Sequence, residues 1–144
     1  MPATREQVMV ALSAMLTSLG VFTTVSRRNR SPESITPAMS PAIFVLEHAE
    51  DYQVQAEVLP PVRHLNVSLV LYNDVGADPN AIPATAINKA LDALDGALKQ
   101  RDGTGRYTLG GLVYSLVASG AVEKAPGDKT GKGLAVVPLA IILP

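Results

Sequence analysis

The side chains able to do chemistry are few, and most lack the company that chemistry needs. His48 and His64 are the only imidazoles, and cysteine is absent. Zinc and thiol chemistry require such groups in clusters at fixed spacing, and neither histidine belongs to one. His64 falls on the polar side of an alternating segment and His48 next to a turn, so both are expected at the surface. Glu47, Glu50 and Asp51 offer the oxygen ligands of a hard cation but not the alternating spacing of a calcium loop. A solvated turn is expected there. Asp92 and Asp95 are spaced to share one side of a helix, yet an acid/base pair needs a pocket to perturb its pKa values. On the exposed side of an amphipathic helix they serve solubility.

Gly131-Lys132-Gly133 has the look of a phosphate loop, whose glycines and lysine cradle phosphate oxygens. Pro126 stands where the first glycine belongs, Gly133 replaces the hydroxyl that would hold magnesium, and a strand rather than a helix follows. A hairpin turn is the expectation. No nucleophile elbow occurs, so no catalytic residue, cofactor-binding residue or metal ligand is assigned, and no enzymatic activity is expected. The one concentrated charge is Arg27, Arg28 and Arg30. Three guanidinium forks at a strand end suit carboxylates or phosphates; these three are the candidate partner-binding residues, with a solvated strand end as the alternative reading.

The whole-chain balance supports an interaction module. Basic and acidic residues number 12 and 13 for a net charge of −1, so no global field draws the chain to nucleic acid or to a membrane surface. No apolar run reaches the roughly 20 residues of a membrane span. The spaced apolar residues at the start do not form a signal peptide, and a soluble protein is expected. Apolar residues make up 47% of the 144 and aromatics only 4%. That is enough for one aliphatic core in a single domain over 1–144.

The positioning elements follow from periodicity. Thr4 and Gln7 form a capping box, and Val8, Leu12, Met15 and Leu19 recur at helical spacing before Gly20, which predicts a helix over 5–19. Val21 to Arg27 reads as a strand. The Pro- and Ser-rich stretch from Ser31 to Pro41 is a long loop, and something must hold it; a neighbouring subunit is one candidate. Ala42 to Leu46 is apolar on both faces, as in a covered strand. Tyr52, Val54, Ala56 and Val58 alternate with polar residues, as do Leu65, Val67, Leu69 and Leu71, which predicts two half-buried antiparallel strands either side of Pro60-Pro61. Pro83 opens a second helix within 83–100, with Ile87, Leu91, Leu94 and Leu98 as its stripe. Asp102 to Gly105 is a turn. Residues 112–123 fit a short helix running into a strand, Pro126 to Gly133 a charged turn, and Leu134 to Leu143 a final strand. The fold class is α+β: a mixed, mostly antiparallel sheet of about five to six strands flanked by two helices, or three if 112–123 begins as one.

In this order the chain resembles the tail terminator, or tail-completion, proteins of long-tailed bacteriophages, over nearly its full length. The resemblance is carried by the first helix, the strand and long loop, and Pro41-Ala42-Ile43-Phe44-Val45. It continues through Leu69-Val70-Leu71-Tyr72, the second helix, and Leu112-Val113-Tyr114-Ser115-Leu116-Val117-Ala118-Ser119-Gly120, to the final apolar strand. Thr108-Leu109-Gly110-Gly111 and Val136-Val137-Pro138-Leu139 also look like phage neck and tail-completion sequences. The resemblance implies a homo-oligomeric ring, a hexamer, in the tail or neck of a virion made in the cytoplasm of a bacterial host. Its partners would be the tail tube protein and a head-completion or connector protein, with DNA only passing through the lumen. A head-completion protein of the same virion, and a small ligand-binding or enzymatic α+β domain, are the alternative readings.

Overall fold

A computed structural model describes residues 3–57, 59–127 and 130–143. It contains two α-helices and one mixed six-stranded sheet, the α+β class read from the sequence. The first helix, α1 (Arg5–Ser18), begins at the expected capping box. The Thr4 hydroxyl accepts from the Gln7 N–H at 3.1 Å, and the Gln7 side-chain oxygen accepts from the Thr4 N–H at 2.8 Å. Two orphan donors of the first turn are thereby satisfied. The chain leaves the helix through Gly20, whose φ of 71° lies in the left-handed region that favours glycine. The buried stripe is Val8, Met9, Leu12 and Leu16; Met15 and Leu19 are only partly covered.

Next comes a short strand, β1 (Thr24–Ser26), rather than one spanning Val21 to Arg27. The stretch that follows makes two single 3₁₀ turns, Pro32–Ser34 and Pro37–Met39. Then β2 (Ala42–Gln53) and β3 (Val62–Asp74) form a long antiparallel pair. The second helix, α2 (Pro83–Leu98), starts on its proline as expected. The Asn73 side chain donates to the Pro83 carbonyl at 3.0 Å and so ties the end of β3 to that first turn. Residues 108–114 turn tightly, with Leu109, Gly110 and Gly111 all at positive φ. No helix forms there, so the 112–123 region supplies only β4 (Ser115–Ala118) and the start of β5 (Glu123–Ala125). The last strand is β6 (Lys132–Leu143).

The strand order is β1-β2-β3-β6-β4, with β5 pairing farther along the same side of β6 as β4. Only β1 and β2 run parallel. In register, Val45 lies beside Leu69 and Leu69 beside Val137, so one row crosses the centre of the sheet. Side chains alternate between faces. Ile43, Val45, Leu65, Val67, Leu69, Leu71 and the odd-numbered residues of β6 from Ala135 to Leu143 point to one face, where both helices pack on them. This is the main core. The opposite face carries a smaller cluster of Ala42, Phe44, Val70 and Tyr72, closed by Ile35 from the 31–41 stretch. That stretch is therefore a strap that packs on its own sheet through Ile35.

One further expectation changes. Residues 52–58 are not a separate half-buried strand: β2 runs unbroken from Ala42 to Gln53, and Tyr52, Val54 and Ala56 are exposed. Val58, the last apolar member of that alternation, lies outside the described residues, as do Asp128 and Lys129 of the charged turn. The strand looks split in the sequence because its register shifts between Glu47 and Ala49. The extra residue of such a bulge inverts the alternation midway.

Candidate functional site

The surfaces most in need of a partner lie along the β1–β2 side of the sheet. β1 pairs with β2 only from Ala42 to Phe44. From Val45 to Gln53 the outer edge of β2 carries no strand among the described residues. An open edge presents unpaired N–H and C=O groups to any chain that can add to it. This one is guarded by its bulge at His48 and by Glu47, Glu50 and Asp51, features that discourage indiscriminate pairing.

Beyond the helices the β2–β3 hairpin continues as an arm. Every described residue from Glu47 to Pro61 is exposed, and Tyr52, Val54 and Leu59 are 61%, 77% and 53% accessible. Neither face of this ribbon is buried among the described residues. Three large apolar side chains on such a ribbon amount to an uncovered contact surface.

Two arginine clamps brace the root of the arm. Arg5, in the first turn of α1, grips the Glu50 carboxylate with its Nε at 2.6 and 2.9 Å and donates to the Tyr52 hydroxyl at 2.9 Å. The Glu50 carboxylate and the Tyr52 hydroxyl raise the Arg5 pKa, and Glu50 is held below the usual carboxylate range by that same hydrogen bond. Arg27 forms a two-pronged pair with Glu6, at 2.5 and 3.0 Å, and reaches Glu47 at 3.6 Å. Glu6 lifts the Arg27 pKa, and Arg27 lowers that of Glu6. Water screens exposed pairs like these, so they add little stability. What they fix is geometry, setting α1 against the arm.

The three predicted arginines thus take separate places. Arg27 is engaged within its own chain. Arg28 and Arg30 stand exposed on the turn after β1, with no carboxylate partner among the described residues. An open depression of about 540 Å³ lies beside Arg28, lined also by Arg27, Val45, Leu46 and Glu47.

The remaining candidates stay apart. His48 sits exposed on the bulge, and His64 is half-buried on the helix-free face, at a groove with Val54, Val62, Tyr114 and Ile142. Glu47 and Glu50 face arginines, and among the described residues no three His, Asp or Glu side chains gather as they would around a metal ion. Lys132 of the Gly-Lys-Gly stretch opens β6 and donates to the Pro32 carbonyl at 3.4 Å, which pins the strap. Asp92 and Asp95 are exposed on the rim of a groove beside α2. The carboxyl held lowest is Asp102, brought to about 2 by the Thr104 and Thr108 hydroxyls and the Thr104 N–H. Its oxygens are occupied in closing its own turn.

Sequence reasoning missed the arm and its clamps. Arg5 and Glu50 are far apart in the chain, and nothing local marks them as partners. The only local signal for the arm was an apolar alternation continuing right up to a double proline. No protein-family model matches the chain, and no curated protein matches it either. Among the described residues no helix is long and apolar enough to cross a membrane.

Proposed function

We propose that this chain is a ring-forming structural protein of a long-tailed phage virion. As a terminator it would cap the finished tail tube, stop further tube subunits from adding, and offer its other face to the head. The reading rests on the resemblance in element order, and one observation carries it into the structure: the arm with Tyr52, Val54 and Leu59 exposed. A single copy leaves that ribbon and the β2 edge beside it unsatisfied. Copies packed side by side would cover both, since sheet edges and projecting strands are natural joints between chains. The action is steric, and no reaction step is required of any residue.

The test is electron microscopy of particles made without the chain. Tubes that overrun their proper length, or tails that fail to join heads, are the expected outcome. Normal-length tails beside heads that leak DNA would move the assignment to a head-completion protein. Normal tails on full heads would refute both roles.

A further inference from the structure

The two ends of the strand order carry complementary surfaces at the same height. At one end, the turn after β1 presents Arg28 and Arg30, beside a depression lined by Arg27, Arg28, Val45, Leu46 and Glu47, the last of these paired with Arg27. At the other end, a groove of about 550 Å³ runs between α2 and the β4–β5 side of the sheet. Its floor is apolar, with Leu91, Ala118, Val122 and Val137, and its rim carries Asp92 and Asp95. Neither aspartate has a cationic partner among the described ion pairs. Lys124, across the groove, is taken up by Asn88, to which it donates at 3.2 Å.

The register sets the level. Val45 of the basic side and Val137 of the groove belong to one row through Leu69. A second copy placed beside the first, edge to edge, meets the groove with its basic turn without any shift along the strands. Other pairings are worse. Two basic turns face to face, or two grooves, would set like charges against each other, and like-charge contact strongly opposes association. Opposite charges and unlike surfaces favour a head-to-tail contact, which repeats until it closes.

We infer that the Arg28–Arg30 turn of one copy seats in the α2 groove of the next, its guanidinium groups on Asp92 and Asp95. Planar forks meeting carboxylates give the geometry that arginine satisfies and lysine does not. The contact rests on the ring reading and names the surfaces by which neighbouring subunits join. The arm and the β2 edge remain available for further contact with the same neighbour or with the tube.

Native mass measurement of the full chain tests it with charge reversals on each side. Arg28→Asp with Arg30→Asp, and separately Asp92→Arg with Asp95→Arg, should each weaken self-association by on the order of a hundredfold, because attraction becomes repulsion. Circular dichroism should show both variants folded. An equimolar mixture of the two should assemble again, since each joint then unites either two native or two reversed surfaces. Wild-type assembly should also weaken in 1 M salt, where the screening length falls to about 3 Å. Variants that assemble like wild type, or folded variants whose mixture stays dissociated while wild type forms rings, overturn this contact and leave the ring reading standing. A wild-type chain that remains monomeric, alone and on tail tubes, overturns both.

Discussion

Replacing Ile35 with Ala tests what holds the strap. Ile35 is 2% exposed and is the one strap residue among the buried members of the cluster on the helix-free face. It closes over Phe44 and Tyr72, whose rings meet edge-on at 5.7 Å. The substitution removes three carbons, worth about 2.4 kcal/mol at about 0.8 kcal/mol each. The cavity left behind adds to this, and measured Ile→Ala losses span about 2–5 kcal/mol. A strap with exposed flanks can settle partly into the space, so about 2–3 kcal/mol is expected. Urea unfolding followed by circular dichroism should show the midpoint falling with an unchanged slope. Hydrogen exchange separates global from local loss. The Ile35, Met39 and Ser40 amides donate within the 3₁₀ turns to Pro32, Thr36 and Pro37, and they should lose protection first. A loss below about 0.5 kcal/mol, the range of ordinary surface changes, with those amides still protected, would refute the anchoring role.

Two other expectations are independent of assembly. Gly133 lies in β6 beneath the first turn of α2, and a Cβ there would meet Ile87 Cδ1 at 2.8 Å and Pro83 Cβ at 3.1 Å. Overpacking of about 1–3 kcal/mol should outweigh the entropy advantage of alanine, about 0.4–1 kcal/mol, so Gly133→Ala should lower the urea midpoint, and a rise would show that α2 yields. The Asp102 carboxyl should titrate near 2 rather than at its ordinary 3.8, followed by NMR. Because the folded value is the lower one, its contribution is present above about 3.8 and lost as pH falls toward 2; titration at or above 3.8 would remove the Thr104 and Thr108 hydrogen bonds from the account.

The readable parts of the fold were those governed by local rules. Thr4 and Gln7 announced α1 because a capping box is complete within four residues, and Pro83 with Ile87, Leu91, Leu94 and Leu98 announced α2 by spacing alone, although Leu91 is only partly buried. The stripe of α1 was only half right: Val8 and Leu12 are buried, but Met9 and Leu16 fill the places expected of Met15 and Leu19. Helical spacing fixes a period, and the neighbours decide which neighbouring side chains complete the buried face. The arm escaped notice because alternation reports one-sided contact without saying whether anything is there to make it. Tyr52 and Val54 alternate as buried residues do and yet stay exposed. The start of 112–123 fits helix or strand by pattern, and the tight turn before it, where Leu109 takes a positive φ rare for leucine, is foretold by no local pattern. For the arginines, the sequence showed a cluster, whereas Glu6 and Glu47, distant in the chain, decide that Arg27 turns inward.

The place of β6 bears on how the chain reaches this state at all. β6, made after every other described strand, lies inside the sheet, between β3 on one side and β4 and β5 on the other. Until residues 132–143 leave the ribosome, β4 and β5 have no strand to join, and β3 holds out a thirteen-residue edge of its own. A nascent or truncated chain would expose that edge together with the apolar face beneath α2, the kind of surface through which incomplete chains aggregate. Closure therefore waits for a contact between distant parts of the chain, and such folding is slow relative to that of locally paired domains. A protein built this way commits to its shape nearly all at once, when β6 joins β3 to β4 and β5.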